Sequence, residues 1–219
     1  RPAHWKAGRP DPIMRLEIDT TRGDPMPETT DQIDSLIDWN ADFARQTMLQ
    51  SGDMHPMYAL TVGQQTIPIV ADFQDEAAKE AILDRVRTMV VAFWPQSVAF
   101  MMECWISRKF DRNYQPLYPR ASEDPDREEG VLVLVATPEL ERGRVLVTQR
   151  DAAGKVTDLI ETDMPSGDMA GKLSGLYPTT PPTRQVQRRA QRALEPILGK
   201  ERVRDLREHA RSPASSAIH

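Results

Sequence analysis

A single cysteine, Cys104, in 219 residues leaves no partner for an internal disulfide and too few thiolates for a cysteine-built zinc site. Histidine is almost as scarce. His4, His55, His209 and His219 stand apart, none at metal-ligand spacing from another, so neither a His-built triad nor a zinc centre finds its residues. His55, two positions after Asp53, reads as a polar residue at a strand entrance rather than as a lone acid–base group. No metal or cofactor is expected. No run approaches the roughly 18 apolar residues of a membrane span, and residues 1–31 hold no apolar core of a secretory signal. A cytoplasmic setting without a membrane partner is the default expectation; the opening residue, Arg1 rather than Met, leaves a removed leader open.

What is present is ordinary in amount and uneven in placement. Hydrophobic residues make up 39% and charged residues 28%, close to globular values, while a mean hydropathy of −0.54 points to polar extensions. Net charge is −5. Between residues 184 and 211 nine Lys/Arg face four Asp/Glu, so the remainder carries about ten surplus negative charges. An acidic body with a basic tail either pairs with itself or offers the tail to an anionic partner. Tethered opposite charges meet at high local concentration, which makes self-pairing the simpler expectation.

Periodicity changes several times within residues 57–162. Tyr58, Leu60 and Val62 share one face of a strand, and Ile67, Ile69 and Ala71 one face of a second, joined by a short Gly63-containing turn. Pro68 lacks the ladder donor, which places its strand at a sheet edge or on a bulge. Ala78, Ile82, Val86, Met89, Val90 and Phe93 form a helical stripe ended by Pro95. Val98, Phe100, Met102, Cys104 and Ile106 alternate again, residues 131–136 are apolar on both faces, and residues 144–150 and 155–162 flank an Asp151-Ala152-Ala153-Gly154 turn. A further helix is expected over residues 31–50, opened by Thr29, Thr30 or Asp31 and stopped by Gly52. The predicted fold is α+β: a mostly antiparallel sheet of five to six strands in β-β-α-β-β-β order, with packed helices and a C-terminal helical tail. Residues 1–30 read as a Pro-rich arm with one strand at Met14, Leu16 and Ile18, 31–163 as the core domain, 164–183 as a Gly/Pro-rich linker and 184–219 as the basic tail, docked or free. Pro196 is expected to kink or end the tail's first helix.

Few residues carry a chemical suggestion. Glu103 and Trp105 project from the strand face opposite Phe100 and Cys104, and a carboxylate in an apolar strand is costly unless paired. Glu103 is therefore a candidate general acid or cation ligand, weighed against a simple Arg pair or a solvated face. Trp105 is a candidate ligand-stacking surface, weighed against helix packing. The long charged loop at 110–129 holds Asp126 among several carboxylates, without the calcium-loop pattern. Gly167-Asp168-Met169-Ala170-Gly171-Lys172 falls short of a phosphate loop, with three residues between its glycines and Leu173 after Lys172. Arg184, Arg188, Arg189 and Arg192 cluster within three turns, a candidate contact for phosphates or another anion, with no aromatic between them for base stacking.

Glu103-Cys104-Trp105 together with Ser122-Glu123-Asp124-Pro125-Asp126-Arg127-Glu128-Glu129, ahead of an apolar strand, resembles a family of uncharacterised bacterial and phage-associated proteins. The family pattern reads Glu-Ala-Trp on the strand and Ser-Glu-His-Pro-Asp-Arg before the next one; Cys104 and Asp124 depart from it. The likeness covers roughly a third of the chain. It implies a shared role for Asp126 and Arg127, such as an ion pair closing the loop, and no activity. The expectation is a non-catalytic accessory or protein-interaction module with a protein partner. Two alternatives stand beside it: a carboxylate-dependent hydrolase built on Glu103 and Asp126, and nonspecific nucleic-acid binding through the tail arginines.

Overall fold

The structure, a computed structural model, describes residues 29–113, 116–162, 173 and 175–211. The Met14–Ile18 strand, the Gly167–Lys172 loop, Tyr114, His4 and His219 lie outside the described residues.

Six strands form one sheet: β1 (Met57–Val62), β2 (Gln65–Val70), β3 (Ser97–Ile106), β4 (Glu128–Ala136), β5 (Glu141–Arg150) and β6 (Val156–Thr162). Their order is β2-β1-β3-β4-β5-β6, and every pairing is antiparallel. The α+β reading holds, with the larger of the two strand numbers. β2 is one of the two edge strands, where Pro68 pairs with Ala59 and its missing donor is tolerated.

Each face of the sheet has its own cover. Helix α1 (Thr29–Ser51) lays Ile33, Ile37, Ala41, Ala44 and Met48 over Ala99, Met101, Val131, Val133, Val135 and Leu146. On the opposite face α2 (Glu76–Phe93) sets Val86, Met89, Val90 and Phe93 on Tyr58, Leu60, Val98, Phe100 and Leu134. Alternation along β3 and β4 sends odd and even residues to different layers, which is why residues 131–136 are apolar throughout. The caps of α2 are local chemistry. The Asp75 carboxylate accepts the Ala78 N–H at 2.7 Å, and Trp94 takes a left-handed φ of 48° before Pro95.

The tail completes the second layer. α3 (Arg184–Leu198) and α4 (Lys200–His209) insert Leu194, Val203 and Leu206 into the same core as α2 and β1. Gln191 Nε2 donates to the Ala92 carbonyl at 2.9 Å in a buried contact, and Gln65 Nε2 in β2 reaches Asp205 Oδ2 at 3.2 Å. Tyr177 fixes the approach to α3, its hydroxyl donating to Pro95 O at 3.0 Å and its ring meeting Trp94 edge-on at 5.5 Å. Of the two arrangements open in the sequence, docked is the one found. Pro196 lies inside α3, which runs on to Leu198 and stops at Gly199, φ 83°. A proline near a helix end loses little, because the remaining turn is short.

Candidate functional site

The β3–β4 register sets Glu103 opposite Val131 and Trp105 opposite Glu129. These side chains lie on the α1 face, just past the end of that helix. There Glu103 Oε1 accepts the Met54 N–H from the α1–β1 connection. Burial pushes the Glu103 carboxyl above its usual range; the Met54 N–H opposes this, and the Glu129 and Asp53 charges add to it. Arg150 closes the cluster. Its Nε donates to Glu129 Oε2 at 2.8 Å, a second nitrogen to the other Glu129 oxygen, and the rest to the carbonyls of Gly52 at 3.1 Å and Gly154 at 3.0 Å. One guanidinium thus ties together the end of α1, β4 and the β5–β6 turn. Four of its five N–H donors are taken by the fold, which marks it as a structural clamp.

The loop between β3 and β4 is organised on Asp124, whose side chain is buried. Ser107 Oγ donates to Asp124 Oδ2 at 2.6 Å, the Asp126 N–H to Oδ1 at 2.9 Å, and Lys109 Nζ lies 3.2 Å away. The Ser107 hydroxyl chiefly, then the Asp126 amide and Lys109, hold the Asp124 carboxyl below its usual range against the effect of burial. Asp126 and Arg127 do not close the loop on each other. Asp126 pairs with Lys109 at 2.5 Å, while Arg127 donates to Asp124 O at 3.2 Å and stacks over the Trp105 ring at 4.7 Å from its centroid. Trp105, 47% exposed, therefore carries an arginine from its own chain on its ring. Among the described residues no group of three or more His, Cys, Asp or Glu side chains is arranged to hold a metal ion.

The four tail arginines sit differently. Thr183 Oγ1 accepts the Val186 N–H at 3.4 Å and starts α3, and Gln191 and Leu194 anchor one side of it, so Arg184, Arg188, Arg189 and Arg192 face solvent. At 1.5 Å per residue the ridge from Arg184 to Arg192 is about 12 Å long. In α4, Arg202 pairs with Asp205 at 3.0 Å and His209 Nδ1 lies 3.4 Å from the same carboxylate; none of the four ridge arginines enters an ion pair among the described residues. With Gln185 they line an open depression of about 750 Å³. The acidic body is paired elsewhere: Asp34, Asp38 and Asp42 on α1 meet Arg142, Arg144 and Arg45.

Glu103 and Glu129 are brought together, while Asp126 is drawn to Lys109 and Asp124. Sequence reasoning missed Ser107, Lys109 and Arg150. The loop's Asp-Pro-Asp step, with Asp124 accepting an amide two residues on, was the available signal for a folded turn rather than a mobile excursion. No family model, curated protein or solved structure matches the chain, so the likeness to bacterial and phage-associated proteins rests on its own residues. No helix among the described residues is long and apolar enough to cross a membrane.

Proposed function

We propose that this chain is a non-catalytic interaction module whose partner-contacting element is α3. The observation that carries this reading is the contrast between its two charged clusters. Glu103, Asp124, Asp126 and Glu129, which a carboxylate-dependent hydrolase would need free, each hold a backbone amide or a cation of the fold. The α3 arginines hold nothing among the described residues and are presented on a helix clamped to α2. A rigid support lowers the ordering cost of binding, and arginine forks match carboxylate or phosphate oxygens.

A photo-crosslinking residue in place of Gln185, on the exposed side of α3, tests the proposal in the cells that make the protein. The expected result is a discrete heavier adduct, abolished by R188E/R192E and missing when the probe replaces Lys79 on α2. Equal labelling from both positions, or labelling indifferent to the charge reversal, would remove α3 as the contact. An assay in which E103Q abolished turnover of a hydrolysable substrate would replace the reading with the enzymatic one.

A further inference from the structure

Resting on the reading of α3 as the contact, we infer that its partner is an acidic amphipathic helix of another protein rather than a nucleic-acid backbone. The ridge alone would suit any polyanion. What separates the two is a second feature of the same helix. Val186, Ala190, Ala193 and Ile197 follow one another at steps of four, three and four residues, the spacing at which a helix presents a continuous seam to a second helix. Val186 is 48% and Ile197 52% exposed, Ala193 is exposed, and Ala190 is half-buried against α2 and the core. The middle of the seam is therefore low, with two alanines that let another backbone approach, and its ends carry β-branched side chains able to fill holes in a facing helix.

Charge completes the surface. Arg189 lies three positions after Val186 and four before Ala193, which sets this cation on the flank of the seam, while Arg184, Arg188 and Arg192, at steps of four, carry the ridge outward behind it. A facing helix would put apolar residues on the seam and Asp or Glu at the positions beside it, pairing with Arg189 as flanking charges do in two-helix contacts and drawn by the field of the ridge behind it. Phosphates have no use for exposed Val186 and Ile197. The ridge also lacks the aromatic side chains on which bases stack, and the rest of the chain carries surplus negative charge, which repels a long polyanion.

The test uses the full chain and three fluorescein-labelled probes of equal charge in fluorescence anisotropy. One is a two-heptad peptide with Leu on its seam and Glu beside it, the second the same peptide with Ser on its seam, the third a single-stranded oligonucleotide. The Leu peptide is expected to bind about tenfold or more tightly than either of the others. V186S/I197S, two exposed positions whose change leaves the core intact, should bring its affinity down to that of the Ser peptide, whereas R189E/R192E should weaken all three probes. Equal affinities, tighter binding of the oligonucleotide, binding of none, or indifference to V186S/I197S would overturn the inference. If any of these occurred while the Gln185 crosslink persisted, α3 would remain a contact with a different class of partner; loss of the crosslink as well would remove both.

Discussion

Truncating Leu206 to alanine separates a docked tail from a free one. Leu206 is fully buried and shares its cluster with Tyr58, Leu60, Val62 and Leu194; within α4 only Val203 is buried beside it. In that cluster the substitution removes the transfer free energy of the lost methyl groups and leaves a cavity into which the surroundings relax only in part. A loss of about 3 kcal/mol is expected, within the roughly 2–5 kcal/mol range for a buried Leu→Ala change. At about 2–4 °C per kcal/mol for a chain of this size, the midpoint falls by about 6–12 °C. On a free helix the same change would be neutral or slightly stabilising, because alanine has the higher helix propensity. The two arrangements thus differ in sign as well as in size. Urea unfolding followed by far-UV circular dichroism reads the difference, with the thermal midpoint as a second measure. A loss under about 0.5 kcal/mol, the range of surface substitutions, would refute the docking of α4.

Three further outcomes follow from single contacts. At Gly63, φ is +61° and an added Cβ would stand 2.7 Å from the His209 carbonyl oxygen, so Gly63→Ala should cost upwards of about 1 kcal/mol and speed amide exchange in α4; unchanged exchange there would contradict the contact. Arg150→Ala leaves Glu129 and the Gly52 and Gly154 carbonyls without their shared donor, with an expected loss of about 2–3 kcal/mol by urea titration, and a loss below about 0.5 kcal/mol would show the clamp to be dispensable. Glu103→Gln keeps an oxygen for the Met54 N–H but has no charge to bury. Because folding raises the Glu103 value above its ordinary 4.5, its contribution is fully present below that value and declines as pH rises through the raised one. The Gln variant should therefore gain on the wild type between acid and neutral pH, and a stability gap independent of pH would contradict the burial effect.

How much of this was readable beforehand depended on the range of the interaction. The sequence of elements along the chain, the α1 and α2 stripes and the edge position of Pro68 are written in neighbouring residues, because period and proline chemistry act locally. The α+β class follows from those. The docking of the tail was not readable, since Val203 and Leu206 fit a half-buried face on any surface and the strands that receive them lie some 140 residues earlier, the separation also seen where Gln65 donates to Asp205. The candidate site divided in the same way. Alternation placed Glu103 and Trp105 on one face, but Arg150 meets Glu129 from 21 residues away and Lys109 meets Asp126 from 17. Such pairs depend on register, which only the assembled sheet fixes. The segregated charge suggested that the tail pairs with the acidic body. It does not do so through its ridge arginines among the described residues, because these lie on the solvent side of α3, while α1 covers the opposite face of the sheet and its aspartates pair with Arg142, Arg144 and Arg45.

Charge reversal of the ridge, R188E/R192E, measured by urea unfolding at low and high salt and by the Gln185 crosslink on the same preparations, tests most directly whether these arginines serve a partner or the fold. Service to a partner gives unfolding free energies within about 0.5 kcal/mol of the wild type at both salt concentrations, together with loss of the adduct. A destabilisation that fades as salt is added, with the adduct retained, would mean that the arginines pair within the chain and that α3 is not the contact.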